Sequence, residues 1–267
     1  MTSCIVLAAG RGSRLYPYTD LKPKCLTEIG GGPLIETQLA TLKSFGIADI
    51  ILVTGYLADQ LVIPGTRRVH NPKWAETNMV ESLFCAASEF SDDIIVTYSD
   101  IIYEPRVLEA LLSSPKEISV VVDRNWRPYW EFRFINPLSD AESLELDKEG
   151  RIVEIGSRVD DITSIEAQYI GLMRFQKNGV KILRSAYKEL GSQRRPWMDT
   201  RPVEKAYLTD LLMEMILVGH SVHSVCIEGG WLEIDTVKDY EDLTKLFETG
   251  GISRFYEPSA LDVSQHD

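Results

Sequence analysis

The stretch of this chain best equipped for chemistry is Leu7-Ala8-Ala9-Gly10-Arg11-Gly12-Ser13-Arg14-Leu15, followed by Lys22-Pro23-Lys24. The apolar run Ile5-Val6-Leu7 stops at a loop of small residues, and cations follow it. Small residues let the backbone approach a ligand closely. The pattern suits a nucleoside triphosphate. Base and ribose would lie against Leu7, Ala8, Ala9, Gly10 and Gly12, with the phosphates against Arg14 and Lys24. Arg14 brings a planar fork that can hold two phosphate oxygens, and Lys24 brings a compact point charge. Arg11 and Lys22 read equally well as solvated surface cations.

Other phosphate loops do not match. A dinucleotide fingerprint needs a third glycine after Gly10 and Gly12, but Leu15 stands there. It also needs an acid about 20 residues on, at the end of a second strand, whereas Glu28 sits in the loop before Gly30-Gly31-Gly32. These two gaps disfavour a nicotinamide-binding oxidoreductase. A Walker A loop needs Gly-Lys-Ser/Thr, and a kinase loop needs its strand lysine and its HRD and DFG partners; none is present.

A lone Gly-x-Gly says little. A strand, Ala-Ala-Gly-x-Gly-x-Arg-Leu and Lys-Pro-Lys in succession say much more. The segment Leu7 to Leu26 resembles the signature of the nucleotidyltransferase superfamily, which moves a nucleotidyl group onto a phosphorylated acceptor. The resemblance continues through Asp100, Gly171 and Gly230-Trp231-Leu232-Glu233-Ile234-Asp235-Thr236. Asn78-Met79-Val80-Glu81-Ser82-Leu83 and Glu233-Ile234-Asp235 are more similar to the phosphocholine cytidylyltransferase branch than to the sugar-phosphate enzymes.

That resemblance implies in-line attack of an acceptor phosphate on the α-phosphorus, with pyrophosphate leaving. The nucleophile is already an anion, so the protein must supply positioning and charge neutralisation rather than a general base. Arg14 would meet the departing phosphates, and Lys24 would bridge the α-phosphate and the acceptor. Asp100 follows the apolar run Ile94 to Tyr98, where a carboxylate faces the ligand crevice. The superfamily pairs aspartates at the positions of Asp100 and Asp235 around Mg2+, which takes one or two carboxylates plus substrate phosphates. Glu233 alternates with Asp235 and could share its face.

Reading cytosine requires an acceptor near its exocyclic amine, for which Glu76, Thr77, Asn78, Ser82 or a backbone carbonyl are candidates. Thr77 or Asn78 could also simply cap a helix. For the second substrate, Trp126-Arg127-Pro128-Tyr129-Trp130-Glu131 is dense in aromatics, and Trp197 and Trp231 add two more. Aromatic faces beside a carboxylate attract a quaternary ammonium. In the branch it resembles, an aromatic residue and an acid meet the choline head, and Trp130 and Glu131 occupy that position. Tyr129, Gly171, Asp210, Trp231 and Glu233 complete the expected acceptor site, although Asp210 could equally cap a helix. Arg124, Arg127 and Arg133 point elsewhere, to a carboxylate or a second phosphate on the acceptor. The reading is therefore an enzyme using CTP and a small phosphorylated alcohol, with phosphocholine leading. Alternatives are a sugar 1-phosphate, aminoethylphosphonate or another small phosphate feeding surface polysaccharide, or an inactive regulatory subunit of the same fold.

Positioning these residues falls to alternating β and α elements. Cys4–Leu7, Ile50–Thr54, Ile94–Tyr98 and Ile118–Val122 read as buried strands, and Leu34–Phe45, Thr77–Glu89 and Arg106–Leu112 have helical spacing. Such alternation predicts an α/β, Rossmann-like three-layer sandwich with a mixed, mostly parallel sheet, binding ligands beyond the strands' carboxyl ends. In the middle, Glu131–Ile135, Ser143–Asp147 and Ile152–Ile155 read as antiparallel strands with a hairpin turn at 148–151. They suggest a small acceptor-binding insertion over roughly 124–175. Strands at Gln168–Phe175 and Val222–Ile227 and helices at Val180–Leu190 and Leu208–Leu217 follow. Thr236 could cap a last helix, Val237–Phe247. Residues 1–248 thus read as one domain, and 249–267 as a loose tail or a dimer-contact arm.

At 267 residues the chain can bury a substantial core. A net charge of −12 argues against nucleic acid or an anionic membrane as partner. Cys4, Cys25, Cys85 and Cys226 lie far apart, as suits a reducing cytoplasm. No basic region precedes the first apolar run, and no run approaches the roughly 20 residues of a membrane span.

Overall fold

A computed structural model describes residues 2–192 and 202–258. Trp197 and the end of the tail, 259–267, lie outside the described residues. The centre is a seven-stranded sheet. From edge to edge its strands are His223–Ile227, Ile118–Asp123, Gln168–Gln176, Asp93–Tyr98, Ser3–Ala8, Asp49–Thr54 and Arg67–His70. Gln168–Gln176 runs antiparallel to both neighbours, and the other pairings are parallel.

Strand alternation divides the core in two. Cys4, Val6, Ile50 and Leu52 face one layer with Leu34, Leu39, Leu42, Val107 and Leu111. Ile5, Leu7, Ile51 and Val53 face the other with Val80, Leu83, Leu183, Leu208 and Leu212. Each fully buried Leu or Ile contributes about 1.5–3 kcal/mol, so a sheet covered on both faces selects continuous apolar strands. The helices Leu34–Ser44, Met79–Cys85, Pro105–Ser113, Asn178–Ser192, Leu208–Leu217 and Val237–Thr249 lie close to their sequence expectations. Thr236 caps the last of them, its side chain accepting from the Asp239 amide.

Glu131–Ile135 does not form a strand; the helix Trp126–Arg133 occupies this stretch. Its aromatics favour strands by composition, but Trp126, Tyr129, Trp130 and Arg133 are all buried. That spacing of three and four residues puts them on one helical face. Pro128 falls within the first turn, where a missing N–H costs nothing.

The antiparallel hairpin does form, pairing Glu142–Leu146 with Ile152–Arg158. Asp147 Oδ1 accepts from the Glu149 and Arg151 amides and closes its turn. Gln168–Gln176, counted above with the insertion, is an interior strand of the main sheet. The first part of the tail is docked rather than loose: Ile252 and Tyr256 are buried, and the Gly230 amide donates to the Phe255 carbonyl. Among the described residues, no helix is long and apolar enough to cross a membrane.

Candidate active site

Parallel pairing brings the chemistry together. Ser3–Ala8 and Asp93–Tyr98 run side by side with Leu7 opposite Tyr98. The small-residue loop and Asp100 therefore emerge at the same, carboxyl, end of two interior strands. Asp235 arrives from far along the chain through a second pairing, Trp231–Glu233 antiparallel to Ile101–Tyr103. The Ile234 amide donates to the Asp100 carbonyl at 3.0 Å. Two short strands thus place two aspartates face to face.

Lys24 lies between them. Its Nζ is 2.6 Å from Asp100 Oδ2 and 2.5 Å from Asp235 Oδ1. Arg14 forms an ion pair with the other Asp235 oxygen, and lies 3.7 Å from Asp140. Burial opposes the charge on Lys24, but Asp100 and Asp235 outweigh it and hold its pKa well above the usual value. The same exchange appears on the acid. Burial pushes Asp235 up, while Lys24 and Arg14 more than offset this and leave it below the usual range. Gly12 explains how Lys24 gets in: a Cβ there would come within 2.9 Å of the Lys24 Cδ. Its φ of +64° is also one that glycine adopts freely.

A cavity of about 320 Å³ opens over this cluster. Leu7, Ala9, Gly10, Gly12, Arg14, Lys24, Thr77, Asn78, Ser82, Asp100, Glu233 and Asp235 all line it. Ala8 is buried as the last residue of its strand and does not. Asn78 caps the helix Met79–Cys85 while also lining the wall. Sequence reasoning missed Trp74 and Asn71. Half-buried Trp74 lines the cavity and brings an aromatic face suited to a base. Asn71 is buried and donates to Thr77 Oγ1 and Ser82 Oγ, both at 3.0 Å. It also missed Gln38, whose Nε2 donates to the Tyr98 and Ile101 carbonyls and so braces the loop carrying Asp100.

A second cavity of about 640 Å³ adjoins the first. The two share Arg14, Met79, Tyr98, Tyr207 and Glu233 in their walls. Trp130 lines the second cavity, together with Asp140, Glu142, Arg158, Asp160 and Thr209, none of which the sequence singled out.

The remaining expected acceptor residues are placed differently. Glu131 lines neither cavity; it is exposed and bonded to Arg127 across one helical turn. Trp130 and Glu131 are helical neighbours and point to different faces, so they do not make one cage. Arg133 also lies over the Trp130 ring, 5.4 Å from its centroid. Tyr129 is buried; its hydroxyl accepts from the Glu233 amide and donates to the Glu233 carbonyl. Trp231 is buried and donates its indole N–H to Asp123. Asp210 is buried in a capping box with Tyr207. Gly171 acts through Tyr98: a Cβ there would come within 2.5 Å of the tyrosine ring.

Behind Glu233 is a buried charge network. The Arg133 side chain is fully buried, bonds both Asp239 oxygens at 3.0 and 3.1 Å and pairs with Glu233. Asp239 in turn accepts from the Asp235 and Thr236 amides. Burial raises the Glu233 carboxyl to about 7, against the partial relief that Arg133 supplies. Asp140 is likewise pushed up by burial.

The cluster also suits a divalent cation. Asp100 and Asp235 stand close enough to share one amine, and Asp100 Oδ1 is buried without a hydrogen-bond partner among the described residues. There, no group of three or more His, Cys, Asp or Glu side chains is arranged to hold a metal. An ion would have to complete its shell with phosphate oxygens and water, as magnesium commonly does.

The family model of the MobA-like NTP transferase domain matches residues 4–155. CTP:phosphoglutamine cytidylyltransferase of Campylobacter jejuni is 37% identical over 250 residues, covering 90% of this chain and 98% of that protein. 2-Aminoethylphosphonate cytidylyltransferase of Lancefieldella rimae is 28% identical over 214 residues, 74% of this chain and 78% of that one. The structure of CTP:phosphocholine cytidylyltransferase from Streptococcus pneumoniae aligns with a TM-score of 0.66 at 24% identity, over 92% of this chain and 98% of that one. That likeness is one of fold.

Proposed function

The chain belongs to the MobA-like NTP transferase family, and on that premise we propose that it transfers a cytidylyl group from CTP to a small phosphorylated acceptor. Lys24, seated between Asp100 and Asp235 near the wall shared by two cavities, carries this reading. CTP occupies the first cavity and the acceptor the second. An acceptor phosphate oxygen attacks the α-phosphorus as the bond to the β-phosphate oxygen breaks, and that electron pair leaves on pyrophosphate. Arg14 and Lys24 hold the crowded phosphates and neutralise the charge that builds in the transition state. Asp100 and Asp235 would hold magnesium, which supplies further neutralisation and orientation of the phosphates when bound. Convergence of all four side chains supports a working enzyme rather than an inactive regulatory subunit.

The choice of CTP rests on the relatives named for cytidylyl transfer. The acidic lining of the second cavity favours a head group bearing positive charge. Phosphocholine, aminoethylphosphonate and the α-ammonium of phosphoglutamine all qualify. Trp130 and Glu131 give phosphocholine no particular support, because they do not face one another. The test is pyrophosphate release across a matrix of CTP, UTP, dTTP and ATP against phosphocholine, aminoethylphosphonate, phosphoglutamine and glucose 1-phosphate. CTP with a small charged acceptor should be the best pair. Turnover confined to glucose 1-phosphate, or to nucleotides other than CTP, would refute the proposal.

A further inference from the structure

We infer that Arg158 reads a carboxylate on the acceptor, so that the acceptor is a phosphorylated amino acid rather than a phosphorylated amino alcohol. The inference rests on the cytidylyl-transfer reading above and narrows its second substrate.

The second cavity has two kinds of charge on its wall. Asp140, Glu142, Asp160 and Glu233 bring carboxylates, and Arg14 and Arg158 bring guanidinium groups. Arg14 is engaged at the phosphate end by Asp235 and Asp140. Arg127 is paired with Glu131, Arg133 with Asp239 and Glu233, and Arg151 with Asp147, while Arg124, without an ion pair among the described residues, lines neither cavity. The Arg158 guanidinium has no ion pair, side-chain hydrogen bond or ring contact among the described residues. It ends the strand Ile152–Arg158, opposite Glu142 in the hairpin register.

An unengaged guanidinium on this wall is matched by a planar anion, and its fork fits a carboxylate through two parallel hydrogen bonds. Glu233 and Asp140 on the same wall already face Arg133 and Arg14, but Asp160 has no cation partner among the described residues and is matched by an ammonium group. One small molecule supplies both charges when its head is an amino acid. Choline supplies only the cation and leaves the Arg158 guanidinium without a partner.

The test compares wild type, Arg158→Gln and Arg158→Lys with CTP and four acceptors: phosphoglutamine, O-phosphoserine, phosphoethanolamine and phosphocholine. O-Phosphoserine and phosphoethanolamine differ only in the carboxylate. Wild type should favour the carboxylate-bearing pair. In Arg158→Gln, kcat/KM for that pair should fall roughly 10- to 100-fold relative to phosphoethanolamine, the size of a lost charge-assisted pair. The loss should lie mainly in KM, and Arg158→Lys should restore part of it. Arg158 is exposed, so the variants should keep the wild-type melting temperature. An equal loss on all four acceptors, or a wild-type preference for phosphocholine, overturns the inference and leaves cytidylyl transfer standing. Absence of transfer to any acceptor would overturn both.

Discussion

Replacing Arg133 with Met should damage both the stability of the protein and the placement of Asp235. The Arg133 and Asp239 side chains are each fully buried, and Glu233 is mostly buried. Methionine would fill much of the volume but leave two carboxylates without their cation. Removing one partner of a buried ion pair costs about 3–5 kcal/mol, because the other charge stays desolvated. For a domain of this size that is a fall in melting temperature on the order of 10 °C. Asp239 also receives the Asp235 amide at 3.2 Å, so kcat should fall along with stability. Adding Asp239→Asn removes the stranded charge, and the double variant should recover part of the lost stability. Denaturant titrations of wild type, both single variants and the double variant would give the coupling energy. A loss below about 1.5 kcal/mol in Arg133→Met, the scale of an ordinary hydrogen bond, or strict additivity in the double variant, would refute the network's role.

Glu233 predicts a pH dependence of stability. Its folded pKa is raised from 4.5 to about 7, chiefly by burial, so the folded state holds the proton more tightly than the unfolded chain. Its contribution is full below about pH 4.5 and is lost as pH rises through 7. Glu233→Gln should flatten that part of the stability curve, as followed by thermal melts from pH 4.5 to 8. Chelating divalent metal should abolish turnover, and Asp100→Asn should raise the magnesium concentration needed for half the maximal rate; full activity in chelator would count against the metal pair. Gly12→Ala should cost about 1–2 kcal/mol from its left-handed backbone alone. It should also lower kcat by displacing Lys24, whose Cδ lies 2.9 Å from where the new Cβ would sit.

The nucleotide half of the molecule was legible because its signals are local. A buried strand that stops at Ala8 sets the loop at the carboxyl end of the sheet, and the apolar run ending at Tyr98 sets Asp100 beside it. Parallel pairing of those two strands follows from their continuous apolar character. Asp235 was reachable only through the family resemblance, since nothing local shows that Trp231–Glu233 pairs with Ile101–Tyr103. The acceptor half was harder to read. The stretch from Trp126 to Arg133 has strand-like composition but helical burial, and Glu131, expected at the acceptor from the family resemblance, is paired with Arg127 on the exposed side of that helix. The residues that do line the second cavity, including Asp140, Glu142 and Arg158, lie in or beside a surface hairpin. Isolated charges there look like ordinary solvated residues until tertiary structure brings the hairpin and Tyr98 to one cavity. Trp74 and Asn71 were missed for a similar reason: both lie in a loop without periodicity, and their use depends on how it folds over Thr77 and Ser82.

The central claim is attack at the α-phosphorus of CTP, and the fate of isotopic label tests it most directly. CTP labelled at either the α- or the γ-phosphate would be incubated with magnesium and a small phosphorylated acceptor, and the products separated. The α-label should appear only in the cytidylyl-acceptor product and the γ-label only in pyrophosphate, in equal amounts, with Lys24→Ala losing both. Release or transfer of the γ-phosphate with CDP left behind, or undiminished transfer by Lys24→Ala, would contradict it.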